Sequence, residues 1–233
     1  METEKTGKAA IVELLKQKAC TKQQLYSLMQ STFTEVKTKL KNMVTYLQTE
    51  VSSIDKKVVI TYEENGAFEA RIKFSGDILL FTMHSNIFSF DKNHQVHKSK
   101  YVAQDTRNQY FGMLQIHNFL ADSFKYKRMN DLGYLIGRVF INREKHFFVE
   151  GKRQLGFMFN DLDKQILNNQ YIDSFIQSAI ISALDFELLV PPYDKVRELT
   201  VFQKIQQQGN ASFKTGKRLG FELSAQADDS NVM

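Results

Sequence analysis

The feature that most limits how this chain can fold is a change of grammar near residue 55. From Lys8 to Ile54 there is neither proline nor glycine, and apolar residues recur at intervals of three and four. That is the period of helices that bury one face. From Val58 onward, short β-branched and aromatic runs are separated by Asn-Gly, Ser-Gly and charged pairs, the mark of strands joined by tight turns. A helical segment followed by a sheet predicts an α+β protein.

Within the helical segment, Thr21 stands three residues before Gln24 and Thr32 three before Glu35. Each is a capping-box pattern, which predicts three helices over roughly 5–19, 22–30 and 33–54. On the last, Phe33, Val36, Leu40, Met43, Leu47, Val51 and Ile54 form an a/d seam with one four-residue stutter. Such a seam wants a partner helix, so the expectation is a helical hairpin or a homodimer through 33–54. The same stretch has the cadence of a helix-turn-helix with its turn at Gln30-Ser31-Thr32, which would turn Thr34, Lys37, Thr38 and Lys41 toward DNA.

Beyond it, VVITY, FEARIKF and ILLFTM read as an antiparallel meander, with Asn65-Gly66 supplying the first turn. IFSF is a short strand, residues 91–108 a surface loop, and residues 109–121 fit strand or helix equally. YLIGRVFIN, HFFVEG and QLGFMF read as three further strands, and residues 161–185 as a helix with one apolar stripe. Pro191-Pro192 closes the segment after it; residues 194–208 suggest a last helix and 220–222 a strand. The expected architecture is an antiparallel sheet of about seven to eight strands on a long C-terminal helix. The expected division is a helical segment over 1–55, an α+β domain over 56–222 and a frayed tail over 223–233.

Composition narrows the function. Cys20 is the single cysteine and cannot form an intrachain disulfide, and METEKTGKAA lacks the apolar run of a secretory signal, which points to the cytoplasm. The most apolar stretch, Ala179 to Val190, is broken by Ser182, Asp185 and Glu187, so no membrane span is expected. Lys and Arg outnumber Asp and Glu 31 to 26, and the surplus is concentrated: Ala121 to Arg153 holds eight basic residues against four acids. Aromatic residues interleave them in Phe124-Lys125-Tyr126-Lys127-Arg128. Bases stack on aromatic faces while Lys and Arg neutralise phosphate, so Lys125, Tyr126, Lys127, Arg128 and Arg153 are the expected contacts to DNA or RNA. The rival expectation is a scaffold or interaction protein that works through its N-terminal helices.

One chemical constellation stands out. The run HFFVEGK ends a strand in Glu150-Gly151-Lys152, with Asp131 upstream and a strand-strand-strand-helix order around it. That order resembles the core of the PD-(D/E)XK nuclease superfamily. The resemblance implies Mg²⁺ held by Asp131 and Glu150, with Lys152 steadying charge or the attacking water. The residues by themselves predict a charged turn at Gly151, an antiparallel hairpin that places Asp131 near Glu150 and Lys152, an ion pair from Asp131 to Lys152 or Arg153, no cofactor and no metal-dependent cleavage. Two other patterns carry less. GNASFKTGK has too long a glycine spacing for a phosphate loop, and His84, Asp91, His94 and His97 lie in a loop that tolerates histidine freely.

Overall fold

The computed structural model describes residues 2–151, 154–186, 192–198, 200 and 201. A single helical rod opens the chain. It comprises α1 (Glu2–Leu14), a π-helical turn (Leu15–Cys20) and α2 (Thr21–Ser52), and at 1.5 Å per residue α2 alone is ~48 Å long. The three expected helices are therefore one rod. Thr21 has helical φ −60° and ψ −45°, where a capping residue would leave the helical region. Thr21 and Thr32 are buried because both lie on the stripe with Leu25, Met29 and Phe33. Burying a side chain the size of Phe33 is worth about 1.5–3 kcal/mol, more than the roughly 1 kcal/mol of a cap.

There is accordingly no turn at Gln30-Ser31-Thr32 and no helix-turn-helix. Lys37 reaches Glu64 at 3.3 Å and donates to the Gly66 carbonyl at 2.7 Å. Of the expected seam, Phe33, Val36 and Leu40 are fully buried, Met43, Leu47 and Val51 half-buried, and Ile54 is exposed. Their partner is the sheet of the same chain.

That sheet is antiparallel and has seven strands: β1 (Ile60–Asn65), β2 (Glu69–Phe74), β3 (Asp77–Met83), β4 (Phe88–Ser89), β5 (Tyr110–Leu120), β6 (Tyr134–Asn142) and β7 (Phe147–Gly151). The order is β1-β2-β3-β5-β6-β7, with β4 paired to the start of β5. Residues 110–120, which fitted strand or helix, form the longest strand. Gly66, at φ 69°, turns β1 into β2, and Ser75, at φ 52°, turns β2 into β3. The chain between β4 and β5 is an excursion with 3₁₀ turns and the five-residue α3 (Lys100–Gln104), capped by the Ser99 hydroxyl.

After β5 comes α4 (Ala121–Lys125), and after β7 comes α5 (Gln154–Met158). The expected strand QLGFMF is thus a helix followed by Phe159. Leu155 and Phe159 are buried while Phe157 is 82% exposed, so the buried pair is spaced by four, a helical interval. α6 (Asn169–Leu184) begins later than the expected residue 161, because the Asn168 side chain caps it by accepting from the Tyr171 amide. The residues before it close the edge of β7: the Val149 amide donates to Phe159, the Phe147 amide to Gln165, and the Leu167 amide to Lys145. A short α7 (Tyr193–Val196) follows. Most of the expected helix at 194–208, the strand at 220–222 and the tail at 223–233 lie outside the described residues.

The two faces of the sheet differ. One carries the large core, in which Ile72, Phe81, Ile116 and Val149 meet the α2 stripe and the buried face of α6. On the other, the 84–108 excursion seals one end, where Phe90, Val96 and Val102 cover Phe111, Met113, Phe140 and Phe148. Among the described residues, the remaining half of that face is open. Among the described residues no helix is long and apolar enough to cross a membrane.

Candidate nucleic-acid interface

The open half-face is assembled by strand alternation. In β2 the side chains of Ala70, Ile72 and Phe74 enter the core, so Arg71 and Lys73 point the other way. Register then lines up Glu63, Arg71, Leu80, His117 and Leu135 across β1, β2, β3, β5 and β6. The adjoining row brings Lys73, Ile78 and Phe119 together. A bulge between Ile116 and His117 shifts the β5–β6 register by one residue, so that His117 opposes Leu135 on the open side.

Residues 121–131 form a wall at the end away from the excursion. Phe124 leans on the sheet, edge-on to Phe119 at 5.3 Å and beneath the Arg71 guanidinium at 5.5 Å. The loop is tied to itself: the Arg128 amide donates to the Ser123 carbonyl at 2.8 Å and the Ser123 hydroxyl to Asp131 at 2.6 Å. Lys127 takes φ 50° at its tip. Lys125, Tyr126 and Lys127 are exposed, and the Lys125 ammonium sits 4.9 Å from the Tyr126 ring centre. Between wall and sheet lies a cleft of about 380 Å³ lined by Lys73, Ser75, Gly76, Leu120, Ala121, Asp122 and Lys125.

Arg128 differs from its expected place. Its side chain is 8% exposed, 3.8 Å from Asp131 and 5.4 Å from the Tyr126 ring, so it holds the loop together beneath the surface. Arg153 and Lys152 lie outside the described residues. The residues that sequence reasoning missed are Arg71, Lys73, His117 and Phe119. Alternation in FEARIKF exposes the first two, whereas the others depended on residues 109–121 being a strand.

Asp131 and Glu150 are engaged separately. Asp131 accepts from Ser123 in the loop, and Glu150 on β7 is ion-paired with Arg138 across from it on β6. Gly151 pairs with Gly137, so the last residue of β7 lies opposite the fourth residue of β6. Among the described residues no group of three or more His, Cys, Asp or Glu is placed to hold a metal ion. The excursion histidines serve the excursion itself: His94 stacks on Phe90 at 4.2 Å, and His97 Nε2 lies 3.2 Å from the Phe90 carbonyl.

Electrostatically the open face is less basic than its composition. Arg71 is bonded to Glu63, Arg138 to Glu150, and Arg143 to Asp105 and Glu144. Burial lowers the pKa of His117 below the usual histidine value, so at neutral pH it is an uncharged ring. The Tyr126 hydroxyl raises the pKa of Lys125, which stays cationic. The arrangement is an antiparallel sheet face that bears rings and cations and is bordered by the 121–131 wall. Comparison of the chain with protein-family models, with curated proteins and with solved structures returned no match.

Proposed function

We propose that the protein is a non-enzymatic nucleic-acid-binding protein that uses the open half of its sheet and the 121–131 wall. The observation that carries this reading is the contiguous run His117, Phe119, Phe124 and Arg71, joined by ring and cation contacts of 5.3–6.3 Å. Lys73 and Lys125 flank it across the cleft. Rings offer stacking platforms, and lysines offer phosphate neutralisation. Charge reversal of Lys73, Lys125 and Lys127 to Glu is expected to abolish binding to labelled DNA and RNA in dilute buffer. Unchanged binding by that variant overturns the assignment to this face. In the same samples, added Mg²⁺ or Mn²⁺ is expected to leave the nucleic acid uncut. Cleavage that disappears in Glu150→Ala would instead revive the role of Asp131, Glu150 and Lys152 as a nuclease-like centre.

A second reading, an interaction protein acting through its N-terminal helices, is favoured by α1. Ile11, Val12, Leu14 and Leu15 are all at least half exposed, and the π-helical turn that follows has no buried residue. If this apolar stripe joins two copies, Ile11→Lys with Leu15→Lys converts dimer to monomer in analytical ultracentrifugation while nucleic-acid binding survives. An unchanged sedimentation coefficient, with or without the substitutions, ends that reading.

A further inference from the structure

Resting on the nucleic-acid reading, we infer that this face takes single-stranded nucleic acid in preference to duplex, holding it by ring stacking more than by charge. Among the described residues, few cations of this face are free. On and around the open face, Arg71, Arg138 and Arg128 each have a carboxylate partner in Glu63, Glu150 and Asp131. Among the described residues, Lys73, Lys125 and Lys127 remain with no ion pair. Three cations neutralise about three phosphates, which gives a single strand a slope of log K against log salt of roughly −2. A duplex bound through its backbone alone draws its affinity from phosphate neutralisation, and three lysines supply little of it.

Duplex recognition by another route needs an element that enters a groove. The helices bordering this face, α3 and α4, have five residues each, and α2 and α6 cover the opposite face. Among the described residues, no long helix borders this face to enter a groove and read base edges. What the face does present is ring surface. Phe124 and Tyr126 keep 40% and 43% of their area exposed, and each is already held by a cation near its ring, Arg71 for Phe124 and Lys125 with Arg128 for Tyr126. Pinned rings lose little freedom on stacking, and a base can reach them only when it is not paired in a duplex. The uncharged His117 and the half-exposed Leu135 continue an apolar floor beyond Phe119.

The test is fluorescence anisotropy with the full chain and oligonucleotides of about twelve nucleotides, a length within the usual single-strand site range. Four ligands are compared in dilute buffer: single-stranded DNA, single-stranded RNA, a duplex of the same sequence, and an abasic single strand that keeps the phosphates but lacks the bases. The expected result is at least roughly tenfold tighter binding to the two base-bearing single strands than to the duplex or the abasic strand, the loss expected for one to two stacked bases. The relative affinities of the DNA and RNA strands identify the sugar preferred. Phe124→Leu and Tyr126→Leu are each expected to weaken single-strand binding roughly 5- to 150-fold with the salt slope unchanged, whereas Lys127→Gln lowers the slope by roughly 0.7. Equal affinity for the abasic strand, or duplex binding as tight as single-strand binding, overturns the inference while leaving the nucleic-acid reading in place. No binding to any of the four overturns both. Because the ligand comparison uses the unaltered protein, it decides the matter even if a ring variant fails to fold.

Discussion

His117 shows how one side chain can be both part of a surface and a liability to it. It is half-buried between Leu80 on β3 and Leu135 on β6, with Arg71 one strand further along the same row. Burial lowers its pKa below the unfolded value of ~6.5. The folded state therefore favours the neutral ring, and the unfolded state takes up the proton first as pH falls. Stability from this group is complete above pH ~6.5 and is lost as pH falls from there through the folded pKa. Asp105 behaves oppositely in position on the scale. Hydrogen bonds from Arg107 lower its carboxyl to about 2, so its contribution is complete above ~3.9 and disappears only as pH falls toward 2. Thermal melts between pH 8 and 5 are expected to show a decline that begins near pH 6.5 and is flattened by His117→Gln. An identical decline in that variant would remove His117 as its source.

At the scale of the element, α2 shows what competes with a local signal. Thr34, Thr38, Thr45 and Thr49 each return a hydroxyl hydrogen bond to the carbonyl four residues back. The Thr32 hydroxyl is buried and has no partner, because its side chain faces the sheet. Removing an unsatisfied buried hydroxyl without changing shape gains stability, so Thr32→Val is expected to raise the unfolding free energy by about 1 kcal/mol. If Thr32 were an N-cap, the same substitution would cost about 1 kcal/mol. Chemical denaturation therefore separates the two by sign. The capping pattern was real as a pattern, but a cap also requires that the chain leave the helix there, and the apolar stripe from Leu25 to Val44 rewards continuing. For the same reason the 33–54 seam was legible as a buried stripe, while its occupant was not: a sheet face and a helix seam accept the same 3-4 spacing.

For the whole molecule, the antiparallel α+β architecture was legible because the periods of its two halves differ so sharply. The proposed surface was legible in part as exposed residues. Lys125, Tyr126 and Lys127 stand exposed in the chain segment that charge and aromatic spacing picked out, whereas Arg128 turns inward through Asp131, a contact that spacing alone does not reveal. The other half of the surface comes from β2 and β5, and depends on register. A one-residue slip would send Arg71 and Lys73 into the core. The excursion that covers Phe140 and Phe148 is equally invisible to local pattern, since it is loop by composition and core by contact. The close fit of α2 on β5 has a further consequence. Gly112 leaves room for the Met29 side chain, which a Cβ there would overlap, so helix and strand meet as knob and socket. The socket lies 60 residues beyond the end of α2 at Ser52. At 5–20 residues per second of synthesis, the finished helix waits roughly 3–12 s for it. During that interval Leu25, Met29, Phe33 and Leu40 are an incompletely covered apolar ridge on the nascent chain. β1, which starts only eight residues after Ser52, is the first part of the fold that can begin to cover that ridge, and β5 completes the cover.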